Sequence, residues 1–398
     1  MVTAAQPFSR ATARSPRARS VRHLGPHWYA AVMGTAVVAT AGAGLTPHVP
    51  GAGLARHVPG LRSALAAVWA LSLVLLVVLL AARAVHWARH RDQARAHLLD
   101  PATAPFYGCL AMALLAVGGG ALTVGRDWVG LRAAVAVDAV LFGAGTAVGL
   151  AAAVAVPYLL TVRRAEPGQA TPVWLLPLVA PMVSAALGPS LVPHLPAGQP
   201  RAALLLTCLA LFGLSLLATL LMLPVVFARL VTGGPLPLAL TPTLFLVLGP
   251  LGQSTTAVGA FADVAPGVVP PPHEQGFALF AVLYGVPVTG FALLWLSLAT
   301  AHAVRARRRG MRFAMTWWAF TFPVGTCVTG AEALARHTGL AAYGWLATGL
   351  YGLLVAAWVA AAGGTVRGLL SGALLAGPRP APAAPRPATD RTRSGAVR

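Results

Sequence analysis

The few polar groups set inside apolar stretches are where any chemistry of this chain must come from. Two are carboxylates, Asp138 in AVAVDAVLF and Glu332 in VTGAEALAR. An ionisable group at bilayer depth costs roughly 2.5–3.5 kcal/mol at a helix centre on insertion scales, and is a functional candidate for that reason. Protonated, Glu332 offers a way to couple anion movement to protons. Charged, it has a partner one helical turn on, in Arg336. A second constellation is PTLFLVLGPLGQSTTAVGAF, where Gly249-Pro250 interrupts the helix and Gln253, Ser254, Thr255 and Thr256 follow. Backbone N–H groups freed at a broken helix favour an anion, while hydroxyls at depth also serve to bind helix to helix. WWAFTFPVGT sets Phe322 before Pro323, with Gly325 and Thr326 behind, and AVMGTAV holds Met33, Gly34 and Thr35. None of these positions carries charge, so a path built from them is neutral, hydroxyl-lined and narrow.

Nothing in the apolar stretches assembles a catalytic group. Enzymatic chemistry needs a nucleophile, base or metal in mutual reach, and no His or Cys stands beside an acid there. His23/His27 and His86/His90 have the four-residue spacing of metal ligands, but neither pair has an HExxH pattern or an obvious third ligand. Cys109, Cys208 and Cys327 lack CxxC partners and read as small packing residues. The expectation is a protein that is not an enzyme and uses neither metal nor other cofactor.

The elements that must position these groups are membrane spans. The 398-residue chain is 57% hydrophobic and 10% charged, with a mean hydropathy of +0.74. Soluble domains carry roughly 25% charged residues, so this chain needs lipid as its solvent. A spanning helix takes about 20 apolar residues. Ten stretches qualify: 26–46, 62–85, 103–124, 132–160, 172–194, 202–228, 236–261, 275–302, 313–334 and 340–366. The expected fold class is all-α and polytopic. An Arg-rich cytoplasmic tail at 1–25 precedes a ten-helix domain at 26–370, and the Pro/Ala/Arg-rich 371–398 forms a disordered cytoplasmic tail. The basic start followed by an apolar stretch has the form of a signal peptide, but nine further spans favour a retained anchor.

All 29 basic residues are Arg, against 9 acidic residues. They lie between the spans and not on one soluble module, which points to a cytoplasmic skirt and away from nucleic acid. With the N-terminus inside, only Arg56, Arg62, Arg126, Arg132, Arg201 and Arg336 fall outside and the other 23 face the cytoplasm. Both termini are therefore expected in the cytoplasm of a bacterial-type inner membrane. Proline follows the same alternation. Pro26, Pro105, Pro172, Pro177, Pro181, Pro237, Pro242, Pro250 and Pro323 stand at or near the cytoplasmic entry of the odd spans or in mid-span, while Pro287 alone sits mid-span among the even ones. A kinked membrane helix must turn its freed carbonyls toward protein or water. The pattern fits an inner ring of odd spans around a path and an outer ring facing lipid; ordinary proline enrichment in membrane helices is the alternative.

PHWYAAVMGTAV, DPATAPFYG, PTLFLVLGPLGQS and WWAFTFPVGT, on the first, third, seventh and ninth spans, together resemble the tellurite-resistance/dicarboxylate transporter family. This family includes the bacterial tellurite-resistance channel, the plant slow anion channel, the fungal malate permease and the fungal sulfite pump. The resemblance covers nearly the whole ten-span region. It implies five helical hairpins around a central pore, a homotrimer, and a small anion as substrate: a C4-dicarboxylate, sulfite or another inorganic anion, carried by a channel or by a proton-coupled transporter. It also implies a Phe on the ninth span that plugs the pore, which by motif position is Phe322. Without that likeness Phe322 reads as a core residue packing its helix against a neighbour, since buried Phe is common. Two departures stand out: the chain has no Lys, and Ala36 stands where the family commonly has Gly after the residue matching Thr35.

Overall fold

The computed structural model describes residues 24–45, 60–164, 167–372 and 374, and all regular structure among them is helical. Most of the two expected tails, most of the 47–61 loop, and His23 lie outside the described residues. In chain order the α-helices are α1 (Tyr29–Gly44), α2 (Leu61–Arg89), α3 (Arg91–Leu99), α4 (Tyr107–Gly120), α5 (Arg126–Val129), α6 (Leu131–Val162), α7 (Leu176–Leu187), α8 (Gln199–Gly233), α9 (Leu248–Val264), α10 (Pro271–Arg308), α11 (Phe322–Thr338) and α12 (Ala341–Leu370).

Five of these share one construction. A short 3₁₀ turn leads into each of α1, α4, α7, α9 and α11: Pro26–Trp28, Ala104–Phe106, Pro172–Leu175, Thr241–Val247 and Met315–Phe320 respectively. Proline suits such starts, because its fixed φ is already helical and its missing N–H is one the first turn leaves unused. Pro26, Pro105, Pro172 and Pro242 open four of the lead-ins, and Pro177 and Pro323 stand at the start of α7 and α11. The expected mid-membrane break at Gly249-Pro250 is displaced accordingly. The change from 3₁₀ to α falls between Val247 and Leu248, and Pro250 occupies the first turn of α9. Pro181 lies inside α7.

The helices between them are long and smooth. α2, α6, α8, α10 and α12 run 29, 32, 35, 38 and 30 residues, with α6, α8 and α10 continuing through Pro157, Pro224 and Pro287. At 1.5 Å per residue each exceeds the roughly 30 Å hydrocarbon core. Their apolar windows are only 17–33% buried, and side chains such as Val74, Val154, Leu221, Leu283 and Val359 point outward as a lipid-facing surface. The windows of Ala104–Val129, Pro172–His194 and Thr241–Val264 are 83–89% buried. The chain is thus an all-helical polytopic membrane protein.

Among the described residues eight helices are long and apolar enough to cross a bilayer, two fewer than the ten expected. The first and ninth expected spans account for the difference: α1 has 16 residues and α11 has 17. Both are wrapped by protein along most of their length, so lipid imposes no demand on their hydropathy.

Each buried element packs on the long helix that follows it: α1 on α2, α4 on α6, α7 on α8, α9 on α10 and α11 on α12. The buried elements also touch one another in a closed circuit, α1 to α4 to α7 to α9 to α11 and back to α1. Single polar contacts tie the layers together, as lipid requires. Trp69 Nε1 donates to the Val117 carbonyl, Ser215 Oγ to Leu178, Trp295 Nε1 to Leu244, and Trp358 Nε1 to Thr35 Oγ1. Thr146 Oγ1 donates to Ser184 Oγ. The tightest seam joins α9 to α11. There Gly252 lies so close to the Thr326–Cys327 backbone that a Cβ would come within 2.5 Å of it, and Thr256 and Thr329 hydroxyls meet at 2.7 Å.

Candidate functional site

Two cavities stack along the axis of the inner circuit. The larger, about 220 Å³, lies among the 3₁₀ lead-ins and takes wall residues from all five inner segments, including Ala30, Cys109, Leu176, Leu246 and Ala319. His27, Thr243 and Thr316 are its polar side chains. Met33, Leu176 and Leu246 line both this vestibule and the smaller cavity next to it. Met112, Val179, Gly249, Phe322 and Pro323 help complete the second wall, again with a contribution from each inner segment. Its volume is about 10 Å³, space for about one water molecule at most. The axis is therefore closed at a collar of apolar side chains, with Phe322 in it and only 4% exposed.

The local chain explains why Phe322 stands there. Thr321, at φ −97° and ψ −79°, separates the 3₁₀ turn from α11, and its hydroxyl donates to the Trp318 carbonyl at 2.7 Å. The backbone redirects at that residue, and Phe322 is the first residue of the new helix. Gly249 faces the same space. A Cβ there would meet nothing nearer than Val179 Cγ1 at 3.9 Å. No carboxylate lines either cavity. Residues of the first turns of α1, α4, α7, α9 and α11 line one or other of the two cavities, so five helix N-termini, the positive ends of their dipoles, gather along the axis.

The other expected site residues are placed as follows. Gly34 lies where a Cβ would strike Thr321 and Trp318, so it is a close-approach point between α1 and the lead-in to α11. Thr35 donates to the Ala31 carbonyl at 2.7 Å and accepts from Trp358, which turns it toward α12. Ser254 bonds the Leu251 carbonyl, and Thr326 bonds Pro323 while reaching toward the Leu248 and Gly249 carbonyls of α9. These four line neither cavity. Gln253 lies one turn beyond Gly249 on α9 and is 4% exposed, and among the described residues its amide has no protein hydrogen bond. Pro250 lies between Gly249 and the α9 body, buried.

Glu332 is 3% exposed, and its Oε1 has no hydrogen-bond partner. Its carboxyl abuts Gly44 at the C-terminal end of α1. The expected i to i+4 pair with Arg336 does not form; Arg336 Nη2 instead donates to Asp263 Oδ2 at 3.1 Å, and His337 meets the same carboxylate at 3.1 Å. Arg336 is at the exposed rim and Asp263 shares that rim, whereas Glu332 is a turn deeper. Asp138, 2% exposed, receives a long 3.5 Å contact from Ser190 and packs by Gly118, away from both cavities. His86 and His90 stand with ring centroids 6.0 Å apart, and among the described residues no group of three His, Cys, Asp or Glu is placed to hold a metal.

Reading the sequence named Met33, but missed the other apolar partners of Phe322, namely Met112, Val179 and Leu246.

An all-helical membrane protein with an inner circuit of five interrupted helices and a closed axial collar defines a transporter or channel architecture. The chain matches the voltage-dependent anion channel family, SLAC1, over residues 23–366, and it belongs to that family. It is not an enzyme. It is 24% identical to an uncharacterized transporter of Methanocaldococcus jannaschii over 85% of this chain and 91% of the relative. It is 25% identical to the sulfite efflux pump SSU1 of Arthroderma otae over 85% of this chain and 89% of the relative, and 25% identical to SSU1 of Trichophyton rubrum over 80% and 83%. Membership bears out the resemblance carried by the four sequence strings, and anion transport follows from it.

Proposed function

We propose that this protein conducts small anions along the axis of its inner circuit, as five helical hairpins around one central pore, and that Phe322 closes that pore in the structure described. The observation that carries the reading is the collar at Phe322, to which all five inner segments contribute. The gate is Phe322; Gly249, Pro323 and Gln253 line the path on either side of it, and Gly34, Thr35, Pro250, Ser254 and Thr326 hold the inner elements in register. A neutral lining selects by size, dehydration cost and dipoles, and the surrounding helix N-termini favour negative charge. Sulfite is the leading substrate, given the relatives that are sulfite efflux pumps, with other inorganic anions and C4-dicarboxylates such as malate next. Proton-coupled transport of the same anions is the second reading, and the buried, unpaired Glu332 favours it.

The Arg-rich end, which carries Arg83, Arg89, Arg163, Arg229 and Arg305, faces the cytoplasm of a bacterial inner membrane. The vestibule then opens inward. The assembly is a homotrimer in the lipid bilayer. Reconstituted protein in liposomes, supplied in turn with sulfite, malate, nitrate and chloride, tests the reading. The expected result is flux of at least sulfite that follows membrane voltage and ignores a pH gradient. Flux that stops without a proton gradient favours the coupled transporter, and no flux of any of the four rejects the proposal.

A further inference from the structure

We infer that Gln253 is the anion-coordinating residue on the far side of the collar from the vestibule, and that its amide recognises a singly charged oxyanion that has kept one O–H. The inference rests on the reading of the axis as an anion path.

Gly249, Gln253, Thr256, Ala260 and Asp263 succeed one another at spacings of four and three, and so share one side of α9. The other sides of that helix are taken. Gly252 and Gly259 lie against the Thr326–Cys327 backbone and Ala333 of α11, and Thr255 lies against Gly285 of α10. Phe261 meets Phe212 of α8 and Phe277 of α10 edge to face. The shared side begins in the collar, where Gly249 lines the cavity beside Phe322. It ends at the rim, where Asp263 is 40% exposed. Accessibility rises between the two, with Gln253 buried and Thr256 and Ala260 half-buried. The vestibule lies at the opposite end of α9, among the lead-ins. Gln253 is therefore the first polar side chain of α9 that an anion reaches after passing Phe322.

Its polar neighbours on this side are already engaged. The Thr256 hydroxyl bonds the Gly252 carbonyl at 3.0 Å and meets Thr329 Oγ1 at 2.7 Å. Asp263 is held by Arg336 and His337. Among the described residues neither end of the Gln253 amide has a protein hydrogen-bond partner, although the residue is 4% exposed. A buried amide left so is costly, and on a path it is completed by what passes. Its two ends make different demands, since Nε2 only donates and Oε1 only accepts. A halide or a fully deprotonated oxyanion meets the N–H and leaves the carbonyl oxygen unmet. An oxyanion with one remaining O–H meets both at once: its O⁻ accepts from Nε2, and its O–H donates to Oε1. The collar favours the same species. Its wall carries no cationic side chain, and the cost of stripping water from an ion grows with the square of its charge, so a monoanion passes more readily than a dianion. Hydrogen sulfite and a singly protonated dicarboxylate belong to this class; chloride and nitrate do not.

The test compares Phe322→Ala, whose path is expected open, with Phe322→Ala carrying Gln253→Met or Gln253→Leu, each as full chain in liposomes. One probe is hydrogen sulfite, at a mildly acidic symmetric pH where that anion predominates. The other is methanesulfonate, a sulfur oxyanion of the same charge with a methyl group and no O–H. The readout is the ratio of their permeabilities from reversal potentials, with leak through protein-free liposomes subtracted. The parent is expected to favour hydrogen sulfite about fivefold. Gln253→Met and Gln253→Leu keep the bulk of the side chain without its amide, and their ratio should approach one. A parent that passes both anions equally overturns the recognition of O–H with no further variant needed. A parent whose preference survives in Gln253→Met or Gln253→Leu overturns the assignment of Gln253 and leaves the path standing. A parent that conducts neither anion removes the path reading itself, and the inference with it. Assembly is scored by gel filtration, and if neither variant assembles the ratio in the parent decides.

Discussion

On the proposal that the benzyl ring of Phe322 closes the collar, Phe322→Ala is expected to assemble at near wild-type yield and to raise basal anion flux roughly tenfold or more. The collar holds about 10 Å³ of free space with the ring in place. Removing the six ring carbons opens it toward the 220 Å³ vestibule. A packing role for Phe322 makes the opposite forecast. Truncating a core Phe costs roughly 3–5 kcal/mol in soluble proteins, so yield and monodispersity should fall with no gain in flux. Expression, gel filtration and liposome flux of the single variant separate the two. A well-assembled variant with unchanged or reduced flux would falsify the gate.

The second large effect is on assembly. Gly252→Ala adds only a methyl group, yet that methyl would come within 2.5 Å of backbone atoms of Thr326 and Cys327. A backbone held in a helix cannot rotate away as a side chain can. The α9–α11 seam must open, and with it the Thr256–Thr329 contact and the bonds from Thr326 to the start of α9. Overpacking of this kind costs about 1–3 kcal/mol where side chains yield, and more where they do not. Sharply reduced yield and a lower melting temperature in detergent are expected for Gly252→Ala. Gly249→Ala, three residues earlier on the same helix, should melt like the wild type, since its methyl enters free space. Equal stability of the two variants would mean that the seam is looser than described.

Much of the architecture was legible before any coordinates. The alternation of proline-marked and proline-poor stretches corresponds to the alternation of buried and lipid-facing helices, and the Arg asymmetry follows the same period. Proline was informative because it marks where a helix begins as 3₁₀, and it read as standing either at such an entry or at a mid-span kink. Hydropathy handled the outer helices well, since lipid contacts most of their surface. It named α1 and α11 as spans as well, but they are short, at 16 and 17 residues.

The site was harder to read for a related reason. An inner helix is buried on every face, so no apolar stripe distinguishes the face toward the axis from the face toward a neighbour. Gly34, Thr35, Ser254 and Thr326 looked like path residues because they are small or polar. They are small or polar because helices approach closely or bond at those points. Phe322, Gly249 and Met33 were reached from the motifs, whereas Met112, Val179 and Leu246, ordinary apolar residues, carry no mark in one sequence. Glu332 shows the limit of local reading as well. Its helical spacing favoured Arg336, but Asp263, distant in sequence, holds that guanidinium.

The passage of anions along the axis is tested most directly by thiol block at Gly249. In a Phe322→Ala chain with Cys109, Cys208 and Cys327 replaced by Ala, Gly249→Cys places a thiol on the collar, and Ser254→Cys places one on the same helix but off the cavities. A small charged methanethiosulfonate reagent should abolish flux through the Gly249→Cys protein, more slowly when sulfite or chloride saturates the path, and should leave flux through Ser254→Cys unchanged. Complete labelling at Gly249→Cys with undiminished flux would contradict a route along this axis.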